Sequence, residues 1–143
     1  MIEAVRRALA EFLAVPLAIV SGFLGLAAVG IATDDARLFE GLRDWLIDVV
    51  FTSPEATASL LGHLAGALIT LTSITLSLLL IAVQQAAGTL THAVIDQFLR
   101  RRLNQIVFGL FVGASVYTLV VLATVAPDFN PLLSATLALV FAL

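Results

Sequence analysis

The groups in this chain that could do chemistry are two histidines, ten acids and a run of hydroxyl side chains, and their spacing limits what they can do. His63 and His92 lie 29 residues apart, about 43 Å on one continuous helix. They cannot share a metal ion within one chain, and each reads as a membrane-boundary residue. The acids fall either outside the apolar spans or beside the Arg6–Arg7 pair and the Arg100–Arg102 triplet, so no serine, histidine and aspartate set converges. Phosphate loops, metalloprotease and deaminase motifs and dinucleotide fingerprints are absent from the sequence. With no cysteine there is no thiolate nucleophile, disulfide or cysteine metal site. The expectation is a region with no enzyme activity, no cofactor and no metal.

The hydroxyls are more informative. Between Ala56 and Ile95 there is no Asp, Glu, Lys or Arg. At about 100° per residue, Ser59, Gly62, Gly66, Thr70, Ser73, Ser77, Gln84, Gly88 and Thr91 share one stripe, interrupted mainly by Leu80. Leu61, Leu64, Leu68, Leu71 and Leu79 occupy the opposite side. Such a stripe suits either of two jobs. Thr70, Ser73 and Ser77 could line a water-filled path with Gln84 as a polar ring at its cytoplasmic end, or the hydroxyls could bond their own i−4 carbonyls while the small residues let helices approach. Gly62 and Gly66, Gly109 and Gly113, and Ser21 and Gly25 are three small-xxx-small pairs of the kind that pack helices in lipid. No carboxylate or lysine lies in the stripe, which argues against proton relays and ion-coupled pumping.

The elements that must carry these residues are membrane helices. Hydrophobic residues make up 61% of the chain and mean hydropathy is +1.11, well above the roughly 45–50% apolar content of soluble domains. Residues 12–33 carry no charge and meet the ~20 residues needed to cross a hydrocarbon core. They read as a first span rather than a signal peptide, because the apolar run is too long and Glu3 and Glu11 break its basic flank. Pro16 would sit in its first turns, where a missing N–H costs least. A second span is expected within 60–83 and a third within 106–126. Residues 129–143 cover only about 22 Å of helix, with Pro131 at the first turn, and read as the start of a fourth.

Charge orients this bundle. Arg6 and Arg7 precede the first span and the basic cluster Arg100, Arg101 and Arg102 precedes the third, whereas residues 34–55 hold six acids against Arg37 and Arg43. The positive-inside rule then places the N-terminus and the second connection in the cytoplasm and the first connection outside, with Asp128 also outside. In the first connection, Leu38, Leu42, Trp45, Leu46 and Val49 recur at helical spacing between charges. An amphipathic helix should lie there along the outer interface with Trp45 as anchor. Thr52 or Ser53 can cap the second helix, followed by Pro54 and Glu55. Asp96 and Arg100 at i, i+4 suggest that the second helix continues beyond the membrane or elbows at Gly88.

Leu60, Gly62, His63, Gly66 and Thr70, then the stretch from Ser77 to Gln84, then Phe98, Leu99, Arg100, Arg101, Arg102, Leu103, Asn104 and Gln105, and finally Gly109 to Tyr117, form a pattern. It resembles the bacterial predicted membrane proteins grouped under a domain of unknown function numbered 2254. The resemblance covers roughly 53–143 and is strongest over 98–117. It implies an N-terminal four-helix membrane region followed by a soluble part, and it transfers no reaction. The family's Ser-Pro-Arg step after the second span is Thr91, His92 and Ala93 here.

The expected architecture is an all-α polytopic transmembrane bundle, residues 1–143 forming one domain. It has three complete spans, the start of a fourth, and an outer interfacial amphipathic helix. The expected setting is the bacterial cytoplasmic membrane, with the lipid bilayer and a homo-oligomer or other membrane subunits as partners. Nucleic acid is not expected, since the net charge is −3. The function expected is a channel-like or transport-related assembly, the alternative being a structural or accessory subunit that anchors a further domain or partner.

Overall fold

The computed structural model describes residues 2–36, 51–89 and 102–143. They form four helices, α1 (Ile2–Asp35), α2 (Pro54–Thr89), α3 (Arg102–Thr124) and α4 (Leu132–Ala142). Parts of α1, α2 and α3 are long and apolar enough to cross a membrane: Leu13–Asp35, Pro54–Leu78 and Arg102–Thr124. The amphipathic segment with Trp45, together with His92, Arg100 and Arg101, lies outside the described residues.

α1 begins ten residues before the apolar run does, because the first residues are mostly Ala, Leu, Arg and Glu, all good helix formers. Pro16 is therefore not in a first turn but inside the helix. It is buried, and its Cα lies beside Gly109 of α3. A proline in mid-helix removes one backbone bond, which lipid-embedded bundles tolerate when a neighbouring helix covers the gap.

α2 starts on a defined cap. Ser53 Oγ accepts the Ala56 N–H at 3.1 Å, and Thr57 returns its hydroxyl to the Ser53 carbonyl at 3.1 Å. Pro54 follows at the first helical position and Glu55 faces the positive helix end. Ser53→Ala should cost about 1 kcal/mol of stability, measured as a lowered melting midpoint in detergent, while Thr52→Ala should cost almost nothing. The helix then runs unbroken through Gly88 to Thr89, 36 residues in all. That is about 54 Å, far more than the hydrocarbon core, so α2 is long enough to project beyond a bilayer; the residues that would follow an elbow at Gly88 lie outside the described residues.

α3 is the centre of the bundle. It packs along both α1 and α2, while α4 touches all three. In its apolar window 39% of residues are buried, against 11% for α1 and 17% for α2. The connection from α3 to α4 is a reversal in which Ala126 and Phe129 exchange both backbone hydrogen bonds, at 2.9 and 3.0 Å. Pro127 and Asp128 occupy its two central positions, with proline pre-setting the first of them. The core gathers where α1, α3 and α4 meet the start of α2: Ala27, Phe51, Leu61, Tyr117, Val121, Leu132, Ala135 and Ala138.

Candidate functional site

Two regions hold the polar and small residues that could do work. The first is the stripe on α2. Leu61, Ala65 and Leu68 are buried against the other helices and Leu64 is half-buried. The opposite side, with Ser59, Gly66, Thr70, Ser73, Ser77 and Gln84, is exposed. A Cβ built at Gly62 or Gly66 would meet nothing within 4 Å. Leucine packing inside the chain thus turns the small-residue stripe outward. Beyond Leu68 the helix is largely exposed on its apolar positions too, with Leu71, Ile74, Leu76, Leu78, Leu80 and Ile81 exposed and Thr72 and Thr75 half-buried.

The stripe's hydroxyls are oriented. Thr70 donates to the Gly66 carbonyl at 2.8 Å, Ser73 to Ile69 at 2.9 Å and Ser77 to Ser73 at 2.9 Å. Each proton is committed to the helix's own backbone, a common arrangement for Ser and Thr at i−4. The oxygens' remaining lone pairs are left for whatever covers the face. His63, also on α2, is exposed, and no group of three His, Cys, Asp or Glu that could hold a metal occurs among the described residues.

The other small pairs part company. Gly109 and Gly113 are both buried where α3 crosses α1. A Cβ at Gly109 would lie 2.9 Å from Pro16 Cα and 2.8 Å from Ile19 Cδ1, and one at Gly113 would strike the ring of Phe23. These glycines are the hole into which α1 inserts its large side chains. Ser21 and Gly25 face away, with nothing within 4 Å of a Cβ at Gly25.

The second region joins α1, α3 and α4 around Asp34. This carboxylate is buried and accepts three hydrogen bonds from the first turn of α4: Leu133 N–H at 2.9 Å, Ser134 N–H at 3.0 Å and Ser134 Oγ–H at 2.7 Å. The Tyr117 hydroxyl donates to the Ser134 carbonyl at 3.1 Å. The Tyr117 ring stands edge-on to Phe23 and to Phe141, with centroids 6.2 and 5.5 Å away, and those two rings meet at 5.0 Å. Sequence reasoning placed Asp34 in an external connection and passed over Tyr117 and Ser134. One signal was available: an acid in the last turn of a helix opposes that helix's own dipole, so a buried one needs positive potential from elsewhere. The N-terminus of α4 supplies it.

A family model of predicted membrane proteins, the domain of unknown function DUF2254, matches residues 10–143. The chain belongs to this family. The match extends over α1 as well as the region from 53 onward, so the DUF2254 unit takes in all four helices described here. No curated protein matches the chain, and no solved structure does. Membership of DUF2254 agrees with the three membrane-length helices and carries no reaction with it.

Proposed function

We propose that this DUF2254 chain forms a homo-oligomeric, channel-like or transport-related assembly in the bacterial cytoplasmic membrane, with the α2 stripe turned toward a shared axis. The observation that carries this reading is the outward stripe itself: Thr70, Ser73, Ser77 and Gln84 are exposed on a membrane-length helix whose leucines Leu61 and Leu68 are buried in the bundle. Lipid has no use for a polar, small-residue face, whereas copies of the chain arranged about an axis would cover it. Because the hydroxyl protons bond the backbone, a path between copies would be lined by acceptor oxygens without formal charge. Catalysis has no part in this reading. Among the described residues the buried carboxylate, Asp34, already has three donors on it.

The same back-bonding supports a second reading. A hydroxyl satisfied by its own helix needs no water, so the stripe would equally suit dry packing in a structural or accessory membrane subunit. Accessibility separates the two. With no native cysteine, single cysteines at Ser73 and Ser77 in a water-filled path should react with water-soluble thiol reagents, and one at Leu71 should not, because thiolate forms where water reaches. Ser73→Leu should also lower flux in vesicles, since an apolar constriction dewets. Inert cysteines at Ser73 and Ser77 and no flux would leave the accessory-subunit reading.

Orientation is proposed from the arginine distribution, with the N-terminus and Arg102 on the cytoplasmic side. A cysteine at Asp44 should label from outside intact cells and one at Arg101 should not. The opposite pattern would reverse the topology.

A further inference from the structure

α4 has no cap of its own. Its N-cap residue, Pro131, makes no side-chain hydrogen bond to the helix, and the N–H groups of Leu133 and Ser134 are instead satisfied by Asp34, about a hundred residues earlier in the chain. The space for this contact is made by Gly30, one turn before Asp34, where a Cβ would lie 2.8 Å from Ser134 Oγ. A second strand of the same contact comes from α3, through the Tyr117 hydroxyl on the Ser134 carbonyl. By contrast, the α1–α3 crossing at Gly109 and Gly113 uses Pro16, Ile19 and Phe23; it makes no use of Asp34, and meets this contact where the Phe23 ring stands against Tyr117.

We propose that the Asp34 carboxylate and the first turn of α4 form a charge-operated latch: ionised, it holds α4 against α1, and neutralised, it releases α4 while α1, α2 and α3 stay packed. The chemistry is one of donors and acceptors. A carboxylate offers only acceptors and matches three converging donors. A protonated acid turns one of its oxygens into a donor facing other donors, and it no longer complements the positive end of α4. α4 has only 11 described residues, so one lost cap is a large share of what docks it. Among the described residues few other charges compete at the site. α4 carries no ionisable side chain, α3 contributes Tyr117, and Asp35 beside the latch, Glu55 and His63 on α2, Asp128 in the α3–α4 turn and Arg102 at the start of α3 are all exposed. The latch stands apart from the pore reading and does not depend on it.

Single cysteines in lipid nanodiscs, where both faces are open to reagent, test this. Ala135 on α4 is fully buried and Ala114 on α3 nearly so. Asp34→Asn should speed maleimide labelling of A135C about tenfold or more, the ratio expected for losing one charge-assisted contact, and leave A114C within about twofold. If Asp34→Asn does not yield folded protein, Gly30→Ala serves, because it pushes Ser134 away with the charge intact and should expose A135C in the same selective way. Unchanged A135C labelling in these variants, or A135C and A114C rising together, would overturn the latch in favour of an inert cap or a bundle that opens only as a whole.

Discussion

Replacing Gly113 by leucine is expected to destabilise the bundle by about 3 kcal/mol, at the upper end for an overpacked core, while Gly66→Leu should change the stability of the single chain by less than about 0.5 kcal/mol. Both glycines sit in small-xxx-small pairs, so the sequence pattern alone assigns them the same cost. Their surroundings differ. A Cβ at Gly113 runs into Phe23, and Phe23 cannot simply swing aside because Tyr117 and Phe141 stand against it. Around Gly66 there is open space. In lipid no hydrophobic drive compensates for lost fit, because the tails are as apolar as the side chains, so van der Waals packing sets the outcome. Thermal unfolding in detergent, followed by circular dichroism and paired with the mass of the particle, separates the two effects. Gly113→Leu should lower the midpoint at any protein concentration. Gly66→Leu should leave the monomer's midpoint in place and act only on association between copies, if the α2 face is where copies meet. Equal midpoints for both variants and the native chain would mean that α1 does not insert at Gly113.

Tyr117→Ala should have a comparable effect, about 3 kcal/mol, whereas Tyr117→Phe should cost only about 0.6 kcal/mol. Tyr117 is fully buried on the central helix and its ring ties Phe23 of α1 to Phe141 of α4. Alanine would leave a cavity among three helices, and such rings contribute through their edge-to-face contacts as well as their volume. Phenylalanine keeps the ring and removes only the hydrogen bond to the Ser134 carbonyl, and interhelical hydrogen bonds in lipid average about 0.6 kcal/mol. Steric-trap or denaturant titration in bilayer mimetics gives both numbers. A Phe variant as damaged as the Ala variant would show that the hydroxyl, not the ring, holds α4 to α3.

The Asp34 contact changes the meaning of a residue that position alone makes ordinary. At the edge of an apolar run, next to Asp35, it has the appearance of a solvated boundary acid. In the fold it is a cap for a helix almost a hundred residues away. Among the described residues its carboxylate is matched by donors and by the helix dipole, an arrangement that stabilises a buried acid at the end of a span.

The all-helical architecture, the three membrane-length helices, the short fourth and the family were legible in the chain by itself. Each depends on local properties: the length of uncharged apolar runs against bilayer thickness, the obligation of backbone in lipid to bond within its own helix, and cap residues such as Ser53 followed by Pro54. What the tertiary structure alone decided is which faces meet. Three small-residue pairs are equivalent on a helical wheel, yet among the described residues only Gly109 and Gly113 receive a neighbour, because Pro16, Ile19 and Phe23 of α1 happen to be in register with them. The α2 stripe turns outward because Leu61 and Leu68 on its other side fill the bundle, and Asp34 finds its partners only once α1 ends where α4 begins. Periodicity fixes the angle between faces on one helix; the rotation of that helix against its neighbours depends on side chains from distant parts of the chain fitting together, and no single segment encodes that.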